Sequence, residues 1–562
     1  MEEPGMSVSI DPDPAPRFAQ RTGNPIIRDQ GICDPHIHVV DGRAWLFCGK
    51  DRSWFEDWWV MDEWQVWSSD DLVSWRQENT IRPEDSYTGP NKHCWAGDLA
   101  IKDGTWYWYF SNHYTDTGVM CAAGPTEPFR DPLGRPMLPE DITPEGVHPY
   151  DPDLFQDDDG SWFIVFGGHG YYIARLKADM LSLAEEPKRL AIDDPRDFCD
   201  KPGMFKRDGR YYLQWGGWYA TGASPYGPFS TRGRFSDGHC KPFVFQGQWY
   251  LGYVQRDALF HRSTYISRLK FREDGSVIFH GTDPHGVGWY DADRPIIDAE
   301  DAMRVAGFRA VDGADGRELE LALLDEVGEL VYPHVRHIRS RGLHLRYRSQ
   351  SPVVLEIHDD RSGSMQKVEL AATEGYETAV LQAGLLPEEA DLRLMVRANR
   401  DLRFNWLSFD PTQEDAIIPV RQWDFLHGHE GWTRGEMLGQ VRHEPGIISG
   451  DGHGRDCAIT PNFVVTHLQG SKRLLLRLRC SGQVPQATVG FDFMDRQGIF
   501  NKTNAWPEAH CVPLDLIADG SFHDYVLDLA DLPWWQGVLK RLRITWEADG
   551  PYEWALGYVA IW

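Results

Sequence analysis

Five polar residues occupy matching places along the first half of this chain. They are Asp34 in "CDPH", Asp98 in "GDLA", Asp151 in "YDPD", Asp200 in "CDKP" and His239 in "GHCKP", each at the start of a short apolar run. One acid before a strand is ordinary turn chemistry, since its side chain bonds nearby backbone. Acids at four equivalent places are less ordinary, because carboxylates gathered together repel and raise one another's pKa. Two such groups across a narrow gap can open an acetal. One protonates the leaving oxygen, and the other activates water or attacks the carbon. A third acid keeps the donor protonated by like-charge repulsion. Asp34, Asp98, Asp151 and Asp200 are the candidates for such chemistry or for binding its substrate. Asp153 stands in the same motif as Asp151.

These residues act together only if the chain brings them to one place. The segments that carry them repeat one plan: a polar residue, a short strand, a turn at glycine and an aromatic return strand. "DPHIHVVDGRAWLF", "GDLAIKDGTWYWYF", "DPDLFQDDDGSWFIVF", "DKPGMFKRDGRYYLQW" and "GHCKPFVFQGQWYLGY" are the five copies, with turns at Gly42, Gly104, Gly160, Gly209 and Gly247. Asp-Gly before an aromatic run signals a hairpin, because Gly accepts the positive φ of the turn. Further strands follow each hairpin, such as "WQVWSSDDLVSW" and "YYIARL". Each unit therefore reads as a four-stranded blade, and five units predict a five-bladed β-propeller. An irregular β-sandwich gives no reason for five copies of one opening motif. In a propeller the inner strands run in one direction around a channel, so the residues that open them meet at one mouth.

The plan stops near residue 290. Runs such as "GLHLRYRS" and "DLRLMVRAN", and later "RLLLRLRC" and "HDYVLDLADL", read as strands of two antiparallel β-sandwiches. The expected chain is all-β, with a five-bladed β-propeller over 1–290 and two β-sandwich (jelly-roll) domains over 291–412 and 413–562.

The formal net charge of -28 argues against nucleic acid as a partner, which would need a basic patch, and favours a neutral ligand. The 24 Trp and 21 Tyr suit a β core and also stacking on sugar faces. Nine scattered cysteines without a CxxC imply no disulfide framework. Cys33, Cys199 and Cys240 flank the polar positions and read as small buried residues rather than a zinc or thiolate site. No apolar run is long enough to span a membrane, and no basic-then-apolar leader opens the chain. The expected location is cytoplasmic, or secreted or periplasmic if a leader was removed by cloning. The sequence carries no signal of oligomeric state.

The ordered motifs "NPIIRDQGICDPHIHVVDGRAWLF", "SSDDLVSW", "CWAGDLAIKDGTWYWYFS", "YDPDLFQDDDGSWFIVFG", "SPYGPF" and "GHCKPFVFQGQWYLGY" lie within about residues 24 to 280. Together they resemble glycoside hydrolase family 43. The resemblance implies an inverting, exo-acting glycosidase of α-L-arabinofuranosidase or β-xylosidase type. Such an enzyme releases L-arabinofuranose or D-xylose from polysaccharide or oligosaccharide. By position, Asp34 resembles the general base and Asp151 the acid that tunes pKa and orients its partner. Asp200 stands where the family's general acid is usually Glu, in a Glu-x-Pro setting. Asp is shorter by one carbon–carbon bond, about 1.5 Å, where proton transfer needs an approach of about 2.6–3.2 Å. His239 resembles the axial histidine near a calcium or water site. It is the candidate metal ligand and calcium the candidate structural ion, with no cofactor required for the chemistry. Trp54, Trp58, Trp59 and Trp95 are candidate subsite walls. The second block resembles family 6 carbohydrate-binding modules at "DAEDAM" and "FNWLSFD", and the third has the pattern of a carbohydrate-associated jelly roll. The rival readings are a catalytically silent glycan-binding propeller, and a family variant with a different sugar or acceptor, such as a phosphorylase or transglycosidase.

Overall fold

The computed structural model describes residues 7–12, 15–18, 23–28, 30–51, 59–194, 200–234, 239–255, 262–278, 286–288, 290–338, 341–382, 387–411, 417, 419–426, 428–430, 432–434, 441–453, 457–461, 466–468, 470–483, 486–493 and 510–562. Among these residues the regular elements are strands and two single-turn 3-10 helices.

After a first strand, β1 (Ser7–Ile10), the five predicted hairpins form in order. Blade one is β2 (Gly31–Val40), β3 (Arg43–Asp51), β4 (Trp64–Ser69) and β5 (Arg76–Ile81). Blade two is β6 (Cys94–Lys102), β7 (Thr105–Asn112) and β8 (Asp116–Ala122). Blade three is β9 (Asp153–Gln156), β10 (Trp162–Phe166), β11 (Tyr172–Arg175) and β12 (Lys188–Arg189). Blade four is β13 (Gly203–Arg207), β14 (Arg210–Trp215), β15 (Trp218–Gly222) and β16 (Ser230–Arg234). Blade five is β17 (Cys240–Phe245), β18 (Gln248–Gln255) and β19 (Ser263–Arg268). In blade two, bridges from Thr117 to Leu138 and from Cys121 to Arg130 stand in for the fourth strand.

The turns explain why these hairpins close. Asp41-Gly42, Asp103-Gly104, Asp208-Gly209 and Gln246-Gly247 each place two consecutive residues at positive φ, the twist that matches the flanking strands. The third turn is longer, running from Gln156 to its partner Trp162.

The inner strands β2, β6, β9 and β13 lie side by side in that order, and β17 returns to β2. Hydrogen bonds lock this closure. Asn24 Nδ2 donates to the Ile266 carbonyl at 2.9 Å, and the Ile266 N–H donates back to Asn24 Oδ1 at 2.9 Å. Residues just before the first blade are thus pinned to the last. Between blades one and two, Trp64, Trp108 and Phe110 are buried; between three and four, Phe155, Tyr211 and Trp215 are. Burial of each such side chain contributes about 1.5–3 kcal/mol.

From Tyr290 to Phe409, two six-stranded sheets enclose Leu330, Tyr332, Leu345, Leu355, Leu394 and Phe404. Beyond Arg421, a seven-stranded and a six-stranded sheet enclose Trp423, Leu476, Val489, Tyr525 and Trp546. β1 is an edge strand of that seven-stranded sheet, with Ser7 opposite Asp528 and Ile10 opposite Tyr525. The first residues therefore belong to the last sheet, which departs from the expected 1–290 unit. The "DAEDAM" motif faces the propeller: Lys270 Nζ lies 3.3, 3.2 and 2.8 Å from carboxylate oxygens of Asp298, Glu300 and Asp301.

Candidate active site

Two layers of side chains meet on the propeller axis. The upper layer is Asp34, Asp151, Asp200 and His239. The lower layer, two residues further along the strands, is His36, Asp98, Asp153 and Lys241. Asp34, Asp151 and Lys201 have φ of 50, 54 and 55°, and each precedes a proline. A residue before proline is steered away from the helical region. In β2 the result is a bulge between Cys33 and His36, the kind of irregularity that re-aims a side chain at a sheet rim.

His239 stands between two of the acids. Its Nε2 lies 2.9 Å from Asp200 Oδ1 in a hydrogen bond, and its Nδ1 lies 2.7 Å from Asp34 Oδ1, off the N–H axis. Both Asp34 oxygens accept from Arg262 Nη1, at 3.0 and 3.2 Å, while Arg262 Nη2 and Nε donate to Asp51 at 2.9 and 3.2 Å. Burial works against the Asp34 charge, but Arg262 and His239 outweigh it and hold its pKa below the usual carboxylate range. Burial also opposes the imidazolium, yet Asp200 and Asp34 raise His239 to about 10. Asp151 moves the other way: burial first, then the charge of Asp200, push it up to about 7. Asp151 Oδ1 accepts from Ser111 Oγ at 3.3 Å, and Oδ2 accepts from the Lys201 N–H at 3.0 Å.

The site therefore holds one carboxylate fixed in its charged form and a pair of acids able to share a proton. Asp34 and Asp200 flank a single imidazole ring, at 2.7 Å from Nδ1 and 2.9 Å from Nε2.

Aromatic rings border one side. Trp59 is 39% exposed, the Arg262 guanidinium lies 4.6 Å from its ring centre, and its carbonyl accepts from Trp95 Nε1 at 3.0 Å. Trp95 meets Tyr114 edge-on at 4.7 Å, and Tyr114 meets Tyr150 edge-on at 5.5 Å. Tyr114 is 46% exposed, and Tyr150 directly precedes Asp151. Trp54 and Trp58 lie outside the described residues, as does Cys199. Cys33 and Cys240 are buried thiols.

Two expectations are corrected. Asp98 does not face the mouth. It is fully buried, with Oδ1 2.7 Å from both His36 Nδ1 and His38 Nε2 and Oδ2 accepting from the Leu154 N–H at 2.7 Å. Its neighbour Gly97 stands where blades one and three have Pro35 and Pro152. Asp98 therefore aligns with His36 and Asp153, one layer down, and does not bind substrate directly. The prolines at 35, 152 and 202 were the available signal. Sequence reasoning missed three residues: Ser111 and Lys241 lie inside "CWAGDLAIKDGTWYWYFS" and "GHCKP" with nothing there to mark a role, and Arg262 lies in no motif.

The second correction concerns His239 and calcium. Asp151, Asp200 and His239 offer three ligand atoms within 4.8 Å of one another, a spacing that suits an ion. The donor chemistry does not. Calcium takes about six to eight oxygens. His239 directs both ring nitrogens at carboxylates, and Asp200 and Asp34 raise its pKa to about 10, which favours the imidazolium. The donor set thus fits an imidazolium bridge better than a calcium site.

Residues 22–277, the span of the five blades, match the model of glycosyl hydrolases family 43. A xylosidase/arabinosidase of Bacteroides ovatus is 26% identical over 315 residues, covering 44% of this chain and 94% of its own. A beta-D-galactofuranosidase of Aspergillus niger is 28% identical over 297 residues, covering 46% of this chain and 84% of its own. The structure of an arabinoxylan arabinofuranohydrolase from Bacillus subtilis aligns with a TM-score of 0.43 at 21% identity, over 70% of this chain and 98% of that one. The propeller of this chain, residues 22–277, is thus similar to glycosyl hydrolases family 43.

Proposed function

We propose that this chain is an inverting, exo-acting glycosidase that releases a pentose, L-arabinofuranose or D-xylose, from a polysaccharide or oligosaccharide. One observation carries the reading: Asp34 and Asp200 flank His239, with Asp151 packed against Asp200. Asp34 takes a proton from water, whose oxygen attacks the anomeric carbon. The bond to the leaving oxygen breaks, and Asp200 donates a proton to that oxygen. Asp151 keeps a proton on the acid pair, and the apparent pKa belongs to the pair. The named xylosidase/arabinosidase relative supports the pentose.

The titrations set the pH dependence. The pair must hold its proton, and that proton leaves as pH rises through about 7. The alkaline limb of kcat/KM is therefore expected near pH 7. The acid limb lies low, because Asp34 stays ionised to well below the usual carboxylate range. Asp151→Asn removes the neighbouring charge and moves the alkaline limb downward, measurable as a pH profile on an aryl pentoside.

Trp59→Ala is expected to raise KM about tenfold, equivalent to about 1.4 kcal/mol of lost stacking, with a smaller change in kcat. The test of the whole reading is a panel of aryl pentosides and arabinoxylan, with Asp34→Asn as control and NMR of the first anomer released. A single pentose of inverted configuration is expected. The Asp200–His239 ion pair favours a second reading, since it holds Asp200 as a carboxylate. Glycan binding without turnover across the panel would select that silent propeller.

A further inference from the structure

The lower layer of the channel is a closed cluster of charges. Lys241, on β17, donates to Asp98 on β6 at 3.1 Å and makes a short hydrogen bond to Asp153 on β9. One ammonium thereby joins blades two, three and five. Lys241 is 6% exposed, and both acids are fully buried. Backbone fills other acceptor sites: the Leu99 N–H donates to Asp98 Oδ1 at 2.7 Å, and the Met204 N–H donates to Asp153 Oδ2 at 2.9 Å. A second ammonium comes from blade four. Lys201 is 2% exposed, and its Nζ donates to the Pro152 carbonyl at 2.8 Å. With both lysines charged, two carboxylates meet two ammonium groups and the charges of the layer balance. His36 stays neutral beside them, since burial and then Lys201 lower its pKa to about 3.

Two carboxylates cannot share a dry channel without a counter-ion, because desolvation and mutual repulsion both oppose it. A divalent ion is one solution. It would need oxygens that here already accept from Lys241 and from backbone N–H groups, and it would add charge to a balanced layer. We propose that the Lys241 ammonium is the axial cation of this propeller, filling from within the chain the place a divalent metal ion would fill and making the fold independent of metal.

The test uses the full chain and reads thermal melting and calcium calorimetry, neither of which depends on glycosidase activity. For the wild type, EDTA and added calcium are both expected to leave Tm unchanged, and calorimetry to record no calcium binding. A bound ion would instead raise Tm with its concentration. Lys241→Ala leaves two buried carboxylates around an opened space, so its Tm should fall and calcium should restore it. The double variant Lys241→Met, Asp153→Asn removes one charge of each sign, and should fold without calcium and ignore it. A wild-type Tm that drops in EDTA and returns with calcium overturns the proposal. So does a Lys241→Ala protein with wild-type Tm and no calcium response. If Lys241→Ala folds under neither condition, the double variant decides: folding supports the internal cation, and failure overturns it.

Discussion

Asp34→Asn is expected to lower kcat by about 10²–10⁴-fold, the contribution of a positioned acid or base, with little change in KM. Asn keeps the shape of the side chain and can still accept from Arg262, but it cannot take a proton from water. The loss should be similar for substrates with good and poor leaving groups, because either oxygen departs in the same displacement in which the activated water attacks. A carboxylate whose pKa is held this low by Arg262 and His239 is a weak base in solution terms. Placement compensates, since a base fixed against its water replaces a bimolecular encounter. Rate measurements on two aryl pentosides, with Tm as the folding control, check the result. An Asp34→Asn enzyme with wild-type kcat would remove Asp34 from the chemistry.

The parts of this site that were legible in the sequence are those governed by local rules. Asp-Gly turns before aromatic runs specify hairpins whatever surrounds them, and four of them followed by Gln246-Gly247 specify five blades in order. Asp34, Asp151, Asp200 and His239 converge because a propeller places equivalent strand starts at one mouth. Asp98 was misplaced by one layer because register depends on a proline that blade two replaces with Gly97, and a shift along a strand re-aims its side chains. Arg262 was invisible for another reason. Its partners, Asp34 and Asp51, lie in the first blade, and only closure of the ring brings the fifth blade against them. The same holds for β1, whose partner strand lies some five hundred residues away. The role of His239 depended on what each ring nitrogen faces, which no spacing in the chain encodes.

Asp200→Asn is expected to separate substrates by leaving group. On arabinoxylan or an alkyl pentoside, where the departing alkoxide needs a proton, kcat should fall about 10²–10⁴-fold. On a dinitrophenyl pentoside, whose phenolate leaves unprotonated, the loss should be far smaller. This contrast with Asp34→Asn identifies a donor, because loss of the base affects both substrates alike. Asp200→Glu probes the departure from the usual family residue. The added carbon–carbon bond extends the carboxyl by about 1.5 Å, and the backbone beneath it has little room to yield. Lys201 ties that segment at two points, its N–H to Asp151 Oδ2 and its Nζ to the Pro152 carbonyl. The longer acid should therefore overreach the leaving oxygen and lower kcat, while the alkaline limb stays near pH 7. Higher kcat in Asp200→Glu would mean that the site is built to the family's usual length and that Asp200 works from too far away. Equal losses in Asp200→Asn on both leaving groups would move proton donation to Asp151, the acid whose surroundings already favour its protonated form.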